Sequence, residues 1–223
     1  MSKELITALD AFIQNFYHGE SLTDAQAKKN LEEGVIELVW KNGQHAANGL
    51  LVTESGYILT SNHCVEKDHL PQLQFKDHNH INYEIEKVCV RGKRDLDIAL
   101  VKANIPQKHI ARQYRFYDLQ ENHFAVAALG RKDGLQVKKY GFTKKVNNVV
   151  EYNFPDGAPG DSGGVIATPD FEIMALLRGK ILGYQNGDGS LCEYRGLYPI
   201  VTVSIFKALE LIDFYKRRLE SRL

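Results

Sequence analysis

The chain has 223 residues and a formal net charge of zero, with 28 Lys plus Arg against 28 Asp plus Glu. Hydrophobic residues at 43% and charged residues at 25% supply a packed core and argue against wholesale disorder. The neutral total argues against a polyanion binder that works by charge alone, and three cysteines cannot all pair within the chain, so a disulfide scaffold is not the main source of stability.

At the N-terminus Leu5, Ile6, Leu9, Ile13, Phe16 and Tyr17 recur at helical spacing. Asp10 and Gln14 break the apolar run, so the segment lacks the core of a signal peptide. No later run reaches the roughly eighteen apolar residues of a membrane span. The expectation is a soluble chain kept in a reducing, cytoplasmic compartment. A second short helix is predicted over 23–32, ending near Gly34. The period then changes. The run VIELVW at 35–40 mixes β-branched and large apolar residues and stops at Asn42 and Gly43, a turn pair. Residues 49–53 and 57–60 read as a hairpin about Ser55 and Gly56. Further strands are predicted over 81–90, 97–101, 124–129, 135–142, 146–152, 164–168, 171–177 and 197–203. Many short strands without alternating helices predict an all-β sandwich or barrels, not a parallel α/β sheet. Near the C-terminus Ile205, Ala208, Leu209, Ile212, Tyr215 and Leu219 form a helical stripe, and the basic run at 216–218 suits a helix C-terminus.

The most informative segment is GDSGG at 160–164. A serine between small residues on a tight turn exposes its hydroxyl, and the backbone N–H groups of Gly160 and Ser162 can converge on a developing oxyanion. Such a serine needs a histidine base, itself oriented by a carboxylate. The segment also matches the G-x-S-x-G elbow of α/β-hydrolases, in which the acid and then the histidine follow the serine. Here the last histidine is His123, so that reading fails for want of a base. The subtilisin order, Asp then His then Ser, needs strand–helix alternation that the middle of the chain lacks. The order His, Asp, Ser fits: His63 lies at the end of an apolar strand, and Asp97 opens the run DIAL at 97–100. Asp95 would share a strand face with Asp97, and spacing alone does not separate them; the apolar run directly after Asp97 favours it.

These residues resemble a trypsin-like serine peptidase of the chymotrypsin fold, and most of all its HtrA (Deg) branch. GYILTSNH at 56–63 is similar to the branch's GYILTNNH, and DIALVK at 97–102 to its DIALLK. AALG at 127–130, followed by Gly134, resembles the AIGNPFG loop, PGDSGG at 159–164 resembles PGNSGG, and 170–176 resembles the DGEVIGI strand. Short motifs such as these in the right order are far more specific than any one of them. The resemblance implies two antiparallel six-stranded β-barrels with N-terminal and C-terminal helices, and a triad in the cleft between the barrels. The implied organisation is an N-terminal helical extension over 1–34, a first barrel over 35–105, a connection over 106–122, a second barrel over 123–203 and a C-terminal helix over 204–223. It implies His63 as general base, Asp97 as its orienting carboxylate, Ser162 as nucleophile, and the Gly160 and Ser162 amides as the oxyanion hole. It also places Asp156 at the base of the specificity pocket, and Leu177, Arg178 and Gly179 on the strand that pairs with substrate.

The implied activity is that of a serine endopeptidase acting on protein or peptide through an acyl-enzyme. The alternatives are a pseudo-protease that holds a peptide in the same cleft, or an esterase with the same triad. No cofactor, metal, nucleic acid or membrane is called for, and no PDZ domain is expected after the last strand. The N-terminal helix is a candidate oligomer contact. Asp161 stands where the HtrA branch usually has Asn, and an internal cation, Arg131 or Lys132, is its expected partner. Asp156 would favour cleavage after Arg or Lys, unless it is an ordinary turn residue or is neutralised by Arg178. Cys64 follows His63 where extracellular relatives form a disulfide, but the partner position here is Asn48, so Cys64, Cys89 and Cys192 are expected as free thiols. His69, His78 and His80 match no tetrahedral metal site. The basic stretches at 91–94 and 138–145 read as solvated strand ends.

Overall fold

The computed structural model describes residues 3–18, 22–92, 96–117, 125–131, 135–146, 149–154, 160–180, 183–185, 191–193 and 198–222. Helix α1 (Lys3–His18) buries Leu5, Ala8, Leu9, Phe12 and Ile13 along one face; of the predicted stripe Leu5, Leu9 and Ile13 are buried, Ile6 and Phe16 are half-buried and Tyr17 is exposed. Helix α2 (Asp24–Gly34) begins at a reciprocal cap. The Thr23 hydroxyl accepts the Gln26 N–H at 3.3 Å, and the Gln26 side chain accepts the Thr23 N–H at 3.0 Å, satisfying two donors the helix itself leaves free. Helix α3 (Ile205–Glu220) buries the predicted stripe from Ile205 to Leu219. It is tied to α1 by Lys216 Nζ on Asp10 at 2.7 Å and by an edge-on Phe16–Phe206 contact at 4.6 Å. The apolar face of α1 is thus used inside the chain, against α3 and the first sheet.

The first sheet comprises β1 (Val35–Trp40), β2 (His45–Thr53), β3 (Tyr57–Thr60), β4 (Leu73–Lys76), β5 (Asn82–Arg91) and β6 (Ala99–Ala103). It closes into a barrel in the order β1-β2-β3-β6-β5-β4, because β1 pairs with both β2 and β4. Alternation along these strands divides their side chains between two cores. Ile36, Leu38, Leu51, Ile58, Phe75 and Val101 fill the barrel. Val35, Leu50, Val52, Leu59 and Leu100 face outward into a layer shared with α1, α3 and the second half of the chain. Each large side chain buried this way contributes roughly 1.5–3 kcal/mol.

The second half holds β7 (Arg115–Phe116), β8 (Ala125–Arg131), β9 (Leu135–Val146), β10 (Val149–Phe154), β11 (Val165–Ala167), β12 (Glu172–Lys180), β13 (Gly183–Gln185), β14 (Leu191–Glu193) and β15 (Tyr198–Ser204). Seven of these make a sheet in the order β11-β8-β9-β10-β15-β12-β7, with a further antiparallel pairing of β11 on β12. Strands β13 and β14 form a separate pair, and β7 runs parallel to β12. The chain therefore has the chymotrypsin-type arrangement of one closed six-stranded barrel and a second sheet, antiparallel except for β7, with three helices that an all-β description leaves out. Among the described residues no helix is long and apolar enough to cross a membrane.

Candidate active site

Adjacent strand ends bring the first two site residues together. His63 sits on a short 3-10 turn, Asn62–Val65, directly after β3, and Asp97 lies just before β6. Strands β3 and β6 pair with Thr60 opposite Ala99, so the two loops leave the barrel side by side. The Arg91 guanidinium holds the turn that carries His63, bonding the Asn62 side chain and, at 2.7 Å, the Val65 carbonyl. Ser162 comes from the other half, on the turn into β11. Gly163 donates its N–H to the Leu177 carbonyl at 2.7 Å, Leu177 returns its own N–H to the Gly164 carbonyl at 2.7 Å, and the Asn48 N–H reaches the Ser162 carbonyl at 2.8 Å.

The three side chains meet in one chain of hydrogen bonds. The Asp97 carboxylate accepts the His63 backbone N–H at 2.9 Å and takes Nδ1 of the ring at 2.5 Å. Nδ1 therefore carries a proton, and Nε2 faces the Ser162 hydroxyl at 3.1 Å. Asp97 is mostly buried while His63 is half exposed at the cleft. The hydrogen bond to Asp97, with a second to Cys64, outweighs burial and pushes the His63 ring up to about 10. That second contact, Cys64 Sγ at 3.3 Å from Nε2, places a free thiol beside the same nitrogen that faces Ser162.

The turn at 160–164 is fixed by its backbone. Gly160 has φ +93° and Gly163 has φ +75°, a region open to glycine without strain. A Cβ on Gly160 would also stand 2.7 Å from the His45 ring. The Gly160 carbonyl accepts two donors from β2, His45 Nε2 at 2.9 Å and Asn48 Nδ2 at 2.8 Å. The Asn48 side-chain oxygen in turn accepts the Arg131 N–H at 2.7 Å. Sequence reasoning singled out neither His45 nor Asn48 for this task.

The other expectations fall as follows. Asp161 and Arg131 are both buried, and Arg131 Nε donates to the Val35 carbonyl at 2.5 Å. Lys132, Asp95 and Asp156 lie outside the described residues. Leu177 is a buttress: its side chain is buried and both of its backbone groups hold the Ser162 turn, with the Ser61 hydroxyl also on its carbonyl at 3.1 Å. Arg178 and Gly179 follow it on β12. Cys64 and Cys89 are free thiols. His69 packs edge-on to Trp40 at 5.5 Å, and among the described residues no metal-ligating cluster forms.

A family model described as Trypsin matches residues 24–180. The serine endoprotease from Yersinia pestis is similar in fold, with a TM-score of 0.61 at 16% identity over 89% of this chain and 68% of that one. The HtrA-type protease AlgW with decapeptide is similar too, with a TM-score of 0.61 at 14% identity over 87% of this chain and 67% of that one. A search of curated proteins returned no match. Because the family model spans well over half of the chain, the protein belongs to the trypsin family of serine endopeptidases.

Proposed function

We propose that His63, Asp97 and Ser162 are the catalytic triad of this endopeptidase, and that the Gly160 and Ser162 amides form its oxyanion hole. The observation that carries this is the single histidine bridging carboxylate and serine, at 2.5 Å and 3.1 Å. In this reading Ser162 Oγ attacks a peptide carbonyl as His63 Nε2 takes its proton. Asp97 stabilises the imidazolium that forms, and the two amides receive the charge on the carbonyl oxygen. His63 then returns the proton to the leaving amine, and water repeats the sequence on the acyl-enzyme. The substrate is protein or peptide, aligned along β12 at Arg178 and Gly179. The ring of pairings from β11 through β8, β9, β10 and β15 to β12 supports reading the second half as a barrel. The free thiols Cys64 and Cys89 support a reducing, cytoplasmic location.

A fluorophosphonate probe tests the assignment. Wild type should be labelled at Ser162. Ser162→Ala should lose the label and lower kcat on a peptide amide by about six orders of magnitude. Wild type that takes no label while correctly folded would leave only a peptide-holding role for the cleft.

A further inference from the structure

Glu37 is the only charged residue in the apolar strand β1. Alternation sends it out of the barrel with Val35, and the register sets it opposite Asn48 on β2 and Lys76 on β4. All three face the second half of the chain. The Glu37 side chain is 2% exposed, with Lys76 Nζ 2.6 Å from Oε2 and His45 Nδ1 2.7 Å from Oε1. The other ring nitrogen of His45, Nε2, is 2.9 Å from the Gly160 carbonyl oxygen. A buried line of groups thus runs from Lys76 through Glu37 and His45 to the turn beside Ser162. Among the described residues, the other ionisable groups buried around this turn are Asp161, the residue after Gly160, and Arg131 on β8.

The donor arithmetic decides the charge on His45. Lys76 can only donate, and its ammonium keeps Glu37 an acceptor. A peptide carbonyl is also only an acceptor. A neutral imidazole has one N–H and one lone pair, so in this position it would turn a lone pair against one of the two oxygens. Only a ring protonated at both nitrogens satisfies both contacts. The carboxylate between two cations offsets the cost of burying that charge.

We infer that His45 is held as an imidazolium by Glu37 and is a positioning residue for catalysis, fixing the Gly160 turn and with it the oxyanion donors. The inference rests on the assignment of Gly160 and Ser162 as those donors. Asn48 gives the Gly160 carbonyl a neutral second donor, so loss of the His45 proton halves the support for the turn and leaves the nucleophile in place.

Two measurements on the full chain test this, one independent of activity. In protein labelled with 15N-histidine, His45 (assigned by its loss in His45→Gln) should show both ring nitrogens protonated at pH 7 in wild type and a neutral ring in Glu37→Gln. In kinetics on a peptide amide, Glu37→Gln should lower kcat by about 10-fold with KM nearly unchanged, since weakening one oxyanion donor costs less than the hundred-fold of removing it. The double variant Glu37→Gln/His45→Gln puts a neutral amide donor on Gly160 and should recover kcat to within about 3-fold of wild type, a neutral bond replacing a charged one. A wild-type ring with one protonated nitrogen would overturn the inference. So would a Glu37→Gln protein that loses thermal stability but keeps its kcat, or a double variant that fails to recover kcat while folded. Failure of the triad assignment is seen separately, as fluorophosphonate labelling that survives in Ser162→Ala; the positioning role would then fall with it.

Discussion

Asn48→Ala removes the residue through which the first barrel grips the Ser162 turn. The Asn48 side chain is fully buried and makes two bonds, a donation to the Gly160 carbonyl at 2.8 Å and an acceptance from the Arg131 N–H at 2.7 Å. Each is worth about 1 kcal/mol net. The Gly160 carbonyl keeps His45, but the Arg131 N–H is left buried without this acceptor, at a cost of about 1–3 kcal/mol. The expected total is about 2–4 kcal/mol, which for a chain of this size lowers Tm by about 5–15 °C. Urea unfolding followed by the fluorescence of Trp40, the only tryptophan, measures the first quantity. Steady-state turnover of a peptide amide measures the second consequence, a fall in kcat of about 10-fold as the oxyanion turn loosens. A variant within about 0.5 kcal/mol of wild type, the range of an ordinary surface change, would show that Asn48 does not hold the turn.

Cys64→Ala should move the acid limb of kcat/KM toward neutral pH. The proposed base, His63, works only as a neutral imidazole, and Asp97 and then Cys64 push its pKa up to about 10, so removing the thiol lowers it; an unmoved limb would refute the contact. The same shift has a sign for stability. A folded-state pKa above the unfolded value contributes stability fully present below about pH 6.5 and lost as pH rises through about 10. Wild type should therefore melt lower at pH 10 than at pH 7, and Asp97→Asn should flatten that dependence. Phe12→Ala should cost about 3–5 kcal/mol, because the ring is fully buried and packs edge-on to Tyr114 at 6.1 Å and Phe116 at 5.8 Å; a loss below about 1 kcal/mol would mean that α1 is not part of the core.

The site was legible in the sequence where chemistry dictates residue type. A glycine-flanked serine, one histidine after an apolar strand and one aspartate before another leave few alternatives, and their chain order removed most of those. The helices were legible because a 3.6-residue stripe is a long signal. Strand β4 was not: LQFK offers two apolar residues between a 3-10 turn and Asp77, and only closure of the barrel gives it partners. The predicted strand at Asp97 starts two residues later, because the Asp97 side chain is spent on the His63 loop before pairing begins. Glu37, His45 and Asn48 were hidden for a different reason. The partners of His45 and Asn48 on Gly160 lie 115 and 112 residues away, and no local pattern reports such a contact. The one available signal was a glutamate inside VIELVW, where a buried charge has to be paired.

These hidden residues explain why the visible ones work. The bond from His63 to Ser162 joins two halves of the molecule, and a useful hydrogen bond tolerates only a few tenths of an ångström. Neither loop could hold that distance alone. It is set by bonds that cross between the halves: Asn48 N–H to the Ser162 carbonyl, Asn48 and His45 to the Gly160 carbonyl, the Ser61 hydroxyl to the Leu177 carbonyl, and Arg131 Nε to the Val35 carbonyl. A slip of one residue along a strand, about 3.4 Å, would break every one of them. Glu37, His45 and Asn48 share the outward face of β1 and β2 with Val35 and Leu50, whose burial presses the halves together. The same period-two alternation that builds the barrel therefore delivers the polar groups that align Ser162 with His63, the proposed nucleophile and base.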